Sequence, residues 1–125
     1  MPRPVAVTEI RLLRAERALE VAFDDGLRAR LPAEYLRVES PSAEVQGHAP
    51  DQKQLVAGRR HVGIIAVEPV GHYAVRLTFD DLHDTGIYTW PNLHELAREH
   101  SARWAAYEAA LAARGLSRDP PGRGG

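Results

Sequence analysis

Hydrophobic and polar residues alternate along much of the first 31 positions, a pattern that predicts strands with one buried face. The alternation is imperfect over residues 5–13 and clean over residues 19–23. Asp25-Gly26 is a dipeptide that favours a tight hairpin turn, and the alternation resumes over residues 27–31. Pro32 then suits the first turn of a short helix. The opening third of the chain is therefore predicted to be an antiparallel meander followed by one helical turn.

Further strands are predicted in the middle of the chain. Residues 61–67 and 73–79 are rich in β-branched and aromatic side chains, and residues 68–72 between them are typical of a turn. A short strand is expected from Ile87 to Trp90. Together with the opening meander, these segments predict about six strands.

Apolar residues recur every three or four positions between Leu93 and Leu111, which predicts an amphipathic helix. Asn92 and Glu95 have the spacing of a capping box, and Gly115 is a typical stop signal. These limits predict one helix of about 22 residues. The expected fold class is α+β, an antiparallel β-rich sheet of about six strands packed by one long C-terminal helix.

The periodicity fails between Val38 and Arg60, where Ser, Pro, Gly and Asp interrupt a segment that we expect to be too polar to build core. Loops longer than about 12–15 residues are usually functional or mobile in a compact domain. Residues 40–48 are therefore a candidate functional loop, with a solvated connector as the alternative. We expect one domain over residues 1–114 and a disordered, Pro/Gly/Arg-rich tail over residues 115–125.

Composition argues against several classes of function. The 16 Lys and Arg nearly balance the 17 Asp and Glu, so no nucleic-acid or acidic-membrane partner is expected. No apolar run approaches the ~18 residues of a membrane span, and the first residues do not resemble a secretory signal, so a cytoplasmic protein is expected. The absence of cysteine excludes thiolate chemistry and Cys-held zinc or iron–sulfur sites within this chain.

The richest chemistry lies between Phe79 and Trp90, which includes three aspartates and His83. His83 and His48 are the two histidines in predicted loops beside carboxylates: Glu44 in one loop, and Asp80, Asp81 and Asp84 in the other. Imidazole and carboxylate groups can bind zinc or iron. A metal site and a hydrogen-bonded turn are the two interpretations of this pattern.

No catalytic motif accompanies these residues. The sequence contains no Gly-x-Ser-x-Gly elbow, no phosphate-binding loop and no dinucleotide glycine fingerprint. The His-x-Asp step of an iron facial triad is also absent at His83, which Asp84 follows directly. Adjacent aspartates such as Asp80-Asp81 occur more often as turn caps than as an acid–base pair. We therefore expect a chain that is not an enzyme.

Four stretches of the chain together resemble one family. They are Leu36-Arg37, Ser-Pro-Ser-Ala-Glu-Val-Gln-Gly-His at residues 40–48, Pro-Val-Gly-His-Tyr-Ala-Val-Arg-Leu at residues 69–77, and Phe-Asp-Asp-Leu-His-Asp-Thr-Gly-Ile-Tyr-Thr-Trp at residues 79–90. The chain is similar, over about residues 5–114, to the gamma-butyrobetaine hydroxylase-like N-terminal domains, small bacterial domains of undefined function. Similar domains are attached to Mrp/ApbC-type ATPases that handle iron–sulfur clusters, which implies a docking or accessory role.

In the dioxygenases that give this family its name, the matching domain resembles a zinc-binding module with three cysteines and one histidine. The cysteines are matched here by Ser40, Ser42 and Val45, and the histidine by His83. Serine hydroxyls are poor zinc ligands and valine is none. The resemblance therefore implies that the Ser40 loop lies beside the His83 turn, joined by hydrogen bonds or by a weaker metal site of His48, His83 and Glu44. Many similar domains have glycine where Leu82 stands.

We therefore expect a non-catalytic binding or interaction module with no cofactor, an accessory to iron–sulfur cluster or 2-oxoglutarate oxygenase systems. The expected partner is an unidentified protein, and the chain is expected to be a monomer or a homodimer. The candidate binding surface comprises Ser40, Ser42, Glu44, His48, Asp80, Asp81, His83, Asp84 and Trp90. The alternative is a zinc- or iron-binding accessory protein, or a degenerate oxygenase fragment, that uses His48 and His83.

Overall fold

The computed structural model describes residues 5–47 and 53–120. These residues form six strands and four helices: β1 (Val7–Leu13), β2 (Ala18–Phe23), β3 (Arg28–Pro32), α1 (Ala33–Val38), α2 (Ala43–Gln46), β4 (Ile64–Val70), β5 (Ala74–Phe79), β6 (Gly86–Thr89), α3 (Trp90–Arg98) and α4 (His100–Ala113). In the described part of the chain, no helix is long and apolar enough to cross a membrane.

The strands form two three-stranded antiparallel sheets, with the orders β1-β2-β3 and β4-β5-β6. The predicted α+β class and its antiparallel strands are confirmed. Each sheet is a meander of consecutive strands, as expected when connections are short. The division between two sheets follows from the 31 residues between β3 and β4, which carry the chain through α1 and α2 before the second meander begins.

The main core is formed by both sheets together with α1 and α3. Its fully buried members include Leu19, Val21, Leu31, Tyr35, Leu36, Leu77, Phe79, Tyr88, Leu93 and Leu96. The two buried tyrosine hydroxyls each donate to a backbone carbonyl, Tyr35 to Leu96 at 2.7 Å and Tyr88 to Leu36 at 2.5 Å. Buried tyrosine hydroxyls usually have a hydrogen-bond partner of this kind. These bonds join α1 to α3 and α1 to β6.

The helical region differs from its prediction in two details. Thr89 is the N-cap of α3, because its Oγ1 accepts the backbone N–H of Asn92 at 3.2 Å. The capping box expected at Asn92 and Glu95 is therefore wrong. Glu99 leaves helical geometry, with φ −101° and ψ 14°, and separates α3 from the long C-terminal helix α4. Gly115, with φ +65°, follows the end of α4 as the stop signal predicted.

The segment after α1 contributes to the core, contrary to our expectation. Ser40, Ser42 and Val45 are buried, and α2 lies within the predicted loop. Further along, Leu55, Val56 and Ala57 pack against a second apolar cluster of Val38, Tyr107 and Leu111. The prediction that this segment is too polar to build core is wrong, because Val45 is buried and Leu55, Val56 and Ala57 are partly buried. His48 lies outside the described residues.

The described part of the expected tail, residues 115–120, follows the surface of the domain. The carbonyl oxygens of Ser117 and Arg118 accept N–H bonds from Gly58 and Arg60, both at 2.9 Å. The Arg118 guanidinium also donates two bonds, of 2.8 and 2.7 Å, to the buried carboxylate of Glu34. A bidentate pair of this kind fixes both the distance and the relative orientation of the guanidinium and the carboxylate. The tail expected to be disordered is held to α1 over this part, and residues 121–125 lie outside the described residues.

Candidate functional site

Two connections of the chain meet at the candidate site. Ser40 and Ser42 lie between α1 and α2, and His83 and Thr85 lie between β5 and β6. Ser40 Oγ is 2.9 Å from His83 Nε2, and Ser42 Oγ is 2.6 Å from Thr85 Oγ1. Each pair joins residues 43 positions apart in the sequence. The structure thus places the Ser40 loop directly against the His83 turn, an arrangement that we call the serine–histidine clamp.

His83 is the centre of this clamp. Its residue is 6% exposed, and its Nδ1 lies 3.4 Å from Glu44 Oε2, on the opposite side of the ring from Ser40. Burial lowers the pKa of His83, and the positive charge of Arg37 lowers it further, against smaller opposing effects of Glu44 and Asp81. The lowered pKa favours the neutral imidazole, which shares a hydrogen bond with Ser40 on one side and faces the Glu44 carboxylate on the other.

Asp81 stabilises the turn that carries His83. Its Oδ2 accepts from Arg37 Nε at 2.8 Å and from Arg59 Nε at 2.7 Å, while its Oδ1 accepts the backbone N–H of His83 at 3.1 Å. Burial alone would raise the pKa of Asp81, but the bond from His83 and the two arginines outweigh that effect and lower it. The Asp81 carboxylate is thus an anchor of the turn and not an unpaired surface charge.

Four contributors to the clamp were not predicted as site residues: Thr85 and Arg59, described above, and Arg37 and Gly86. Arg37 is 8% exposed and reaches Asp81 from α1, although its Nη1 has no hydrogen-bond partner among the described residues. Gly86 permits the close approach, because a Cβ at this position would lie 2.6 Å from Ser40 Oγ. Arg37 and Gly86 stand inside the stretches that carry the family resemblance, which was the available signal. Gly86 has no side chain that could bind, and nothing near Arg37 in the sequence points to Asp81.

Ser40, His83 and Glu44 have the order of a hydrolase triad, in which a base activates a hydroxyl and a carboxylate orients the base. Ser40 is 0% exposed, however, and its Oγ also accepts the backbone N–H of Ser42 at 3.2 Å. A nucleophile must reach its substrate. In this arrangement the serine hydroxyl closes a hydrogen-bond network instead.

The remaining predicted residues divide into neighbours of the clamp and one distant residue. Asp80 and Asp84 are exposed on either side of it. Trp90 lies at the other end of β6, where its Nε1 donates to the His72 carbonyl at 2.8 Å. The structure therefore brings together Ser40, Ser42, Glu44, Asp81 and His83, and it leaves Trp90 outside the cluster.

The side chains present do not fit the closed four-ligand zinc site that the resemblance implies. Val45 is buried and has no ligand atom, and the two serine hydroxyls are bonded to His83 and Thr85. Over residues 5–47 and 53–120, no three His, Asp or Glu side chains are arranged to hold a metal ion. Hydrogen bonds from Ser40 to His83 and from Ser42 to Thr85 join the two loops here.

Leu82 stands at the tip of the turn in a left-handed conformation, with φ +72°. This region disfavours residues that carry a Cβ and suits glycine. Leu82 is also 79% exposed. The turn therefore holds a large apolar side chain in solvent on a strained backbone.

Comparison with known proteins places these features in a family. The family model described as "Gamma-butyrobetaine hydroxylase-like, N-terminal" matches residues 10–94, which include the whole clamp. No curated protein matches the chain.

Several solved structures are similar to this chain. One NMR solution structure is 47% identical, with a TM-score of 0.80 over 92% of this chain and 90% of that one. A second is 46% identical, with a TM-score of 0.81 over 96% of this chain and 91% of that one. A crystal structure of a protein with unknown function, of the DUF971 family from Acidithiobacillus ferrooxidans, is 46% identical, with a TM-score of 0.61 over 73% of this chain and 91% of that one.

Proposed function

Because the chain belongs to the gamma-butyrobetaine hydroxylase-like N-terminal family, we propose that it is a non-catalytic interaction module that presents two clamped loops to a protein partner. The observation that supports this most strongly is the buried Ser40–His83 hydrogen bond at 2.9 Å. It fixes two surface loops relative to each other without leaving a reactive group accessible. A rigid surface loses less entropy on binding, which favours recognition.

The exposed face of the clamp is acidic. The Glu44 side chain is 65% exposed, and Asp80 and Asp84 are exposed beside it. Arg37 and Arg59 form ion pairs with Asp81, which lies between these two aspartates in the sequence. Complementary charge steers partners and fixes their orientation. The partner surface is therefore expected to carry lysine or arginine.

The finer role that we propose is that of an accessory to iron–sulfur cluster or 2-oxoglutarate oxygenase systems in the cytoplasm. The family description names a hydroxylase, which supports a link to oxygenases. The chain contains no cysteine and has Ser40 and Ser42 where zinc modules have thiolates. Any cluster or catalytic metal in such a complex would then belong to the partner.

Affinity purification from the native host, quantified by mass spectrometry, tests the interaction. Asp84→Lys reverses a charge on the proposed surface, and Glu9→Lys reverses an exposed charge on β1, in the other sheet, as a matched control. We expect a protein that is retained by the wild type and by Glu9→Lys and lost from Asp84→Lys. Identical retention by all three proteins would contradict the proposed surface.

A metal-binding accessory role through His83 and His48 is the second candidate function. The observation that favours it is the position of Glu44 Oε2, 3.4 Å from His83 Nδ1, since imidazole and carboxylate are ordinary zinc and iron ligands. Metal analysis of protein purified without a histidine tag decides this candidate. A stoichiometric content that His83→Asn abolishes would support it. Metal content near zero, with no thermal shift on adding zinc or iron, would eliminate it.

A further inference from the structure

The segment that follows α4, residues 115–120, is bonded to two other parts of the chain, and we call it the strap. The Ser117 carbonyl accepts the backbone N–H of Gly58 at 2.9 Å. The Arg118 carbonyl accepts the backbone N–H of Arg60, also at 2.9 Å. The strap is therefore joined through its backbone to the segment that precedes β4.

The Arg118 side chain joins the strap to α1. Its Nε and Nη2 donate to the two carboxylate oxygens of Glu34, at 2.8 and 2.7 Å. The guanidinium also lies over the ring of Trp104, 5.0 Å from the ring centroid. The Glu34 side chain is only 7% exposed. Removing one member of a buried ion pair leaves the other charge uncompensated, so Arg118 fixes the position of the strap relative to α1.

The two segments that the strap binds also carry the two arginines that hold Asp81. Arg37 follows Glu34 by three positions on α1, so the two residues are neighbours on the helix surface, and Arg37 Nε donates to Asp81 Oδ2 at 2.8 Å. Arg59 lies between the two residues whose N–H groups bond to the strap, and its Nε donates to the same oxygen at 2.7 Å. Asp81 in turn accepts the backbone N–H of His83 at 3.1 Å. A continuous set of bonds therefore connects the strap to the turn that carries His83.

The strap also lies beside the acidic face of the clamp. Pro120 lines a cavity of about 150 Å³ together with Arg59, Asp80 and Asp81. Asp80 is one of the exposed carboxylates of that face. A displaced strap would therefore change the surroundings of this face as well as the position of the arginines that hold Asp81.

We propose that the strap controls the rigidity of the serine–histidine clamp. With the strap seated, Arg37 and Arg59 hold Asp81 and the His83 turn in place, and with the strap released, the turn opens more readily. The free energy of such a local opening depends on the contacts of the segment that opens and is smaller than that of global unfolding. Because coupling between two sites is reciprocal, a ligand that binds the closed clamp would also favour the seated strap. This coupling is a property of the isolated protein and does not depend on the partner proposed above.

Amide hydrogen exchange of the purified protein, followed by NMR, tests the proposal. In Arg118→Gln, we expect the His83 amide to exchange at least about tenfold faster than in the wild type, because the opening of the turn no longer has to break the seated strap. Arg118→Lys keeps the charge but loses the bidentate pair, so it should give a smaller acceleration. Arg114→Gln is the matched control, at an exposed arginine that has no ion pair in the described part of the chain, and it should exchange like the wild type.

A second control separates local opening from global unfolding. Ile10 lies on β1, in the other sheet, and packs against the main core. Ile10→Ala should lower the global stability without touching the strap. We expect the His83 amide of this variant to exchange at the wild-type rate, since the contacts of its turn are unchanged.

Asp81→Asn tests the route of the coupling. Asparagine keeps an oxygen for the N–H of His83 but loses the charge that Arg37 and Arg59 bind. In this background, Arg118→Gln should accelerate the His83 amide by less than about threefold, because contributions that act through a shared residue are not additive.

Three results would overturn the proposal. The first is a His83 amide that exchanges at the wild-type rate in Arg118→Gln. The second is an equal acceleration, at equal loss of global stability, in Ile10→Ala. The third is an undiminished effect of Arg118→Gln in the Asp81→Asn background. Because no partner is present in these experiments, none of the three results bears on the interaction proposed above, and failure of that interaction would leave the coupling standing.

Discussion

The serine–histidine clamp and the α4 cleft, a cavity of about 280 Å³ lined by Val38, Val56, Tyr107 and neighbouring residues, place their polar atoms in opposite ways. In the clamp, the polar side chains of Ser40 and His83 are buried and bonded to each other. In the α4 cleft, apolar walls surround open space, and charge stands at the mouth. Buried polar networks rigidify a structure when every member has a partner. The comparison indicates that the clamp holds two loops in a fixed arrangement and that the cleft leaves apolar surface open.

We expect Gly86→Ala to lower the stability of the clamp most. A Cβ there would lie 2.6 Å from Ser40 Oγ and 3.1 Å from a ring carbon of Tyr88, and both neighbours are fully buried. Overpacking of a core usually costs about 1–3 kcal/mol, and we expect the upper end in urea unfolding. Gly63→Ala is the control, since its Cβ would meet the movable Asp80 side chain at 3.1 Å. Equal losses for the two variants would argue against a tightly closed clamp.

Removing one hydroxyl should have the next largest effect. Ser40→Ala leaves His83 Nε2 and the N–H of Ser42 without their partner in a buried site. A buried group left unsatisfied costs about 1–3 kcal/mol. The matched change at exposed Ser101 of α4 should stay within about 0.5 kcal/mol of the wild type. Chemical denaturation of both variants measures the difference, and a Ser40→Ala protein as stable as the wild type would contradict the network.

The corresponding change at the cleft should be smaller. The Tyr107 hydroxyl donates to the Val56 carbonyl at 2.7 Å and is only partly buried. Tyr107→Phe should therefore cost about 1 kcal/mol, the net value of one hydrogen bond. Tyr73→Phe, at a residue 57% exposed, is the control and should be neutral. A loss at Tyr107 larger than that of Ser40→Ala would reverse the comparison between the two regions.

The smallest expected effect is a pH dependence of stability. Burial lowers the pKa of His83 in the folded chain, so between that value and the unfolded value of about 6.5 the unfolded state binds more protons. The contribution of His83 is therefore complete above this window and is lost as pH falls through it. His100 behaves in the same direction because burial also lowers its pKa.

Thermal unfolding of His83→Asn and His100→Asn across this range separates the two contributions. Each variant should show a shallower slope of stability against pH than the wild type. A His83→Asn slope equal to that of the wild type would show that the clamp does not depend on a neutral imidazole.

Much of the fold was predictable because alternation is a local signal. The strands of residues 5–31 and 61–79 follow from it, and Gly115 marks the end of α4 by its left-handed conformation. The start of α3 was misplaced because Thr89 and Asn92 are both good capping residues three positions apart, and the structure selects Thr89. The break at Glu99 has no local signal, since the apolar spacing continues through it.

The site was less predictable from residue patterns. The contact between Ser40 and His83 followed from the family resemblance and not from periodicity, since no local rule joins residues 43 positions apart. The ion pair between Arg118 and Glu34, 84 positions apart, is of the same kind and was missed. Long-range polar pairs depend on tertiary packing. In a single sequence, their members appear only as separate polar or charged residues.

The claim on which the account depends is that Ser40 holds a buried, neutral His83. Nitrogen-15 NMR of the imidazole side chains during a pH titration tests it directly. We predict a pKa for His83 below the ordinary value of about 6.5, and a change in the Nε2 chemical shift of His83 in Ser40→Ala. An imidazole that titrates at the ordinary value, with a chemical shift unchanged by Ser40→Ala, would contradict it.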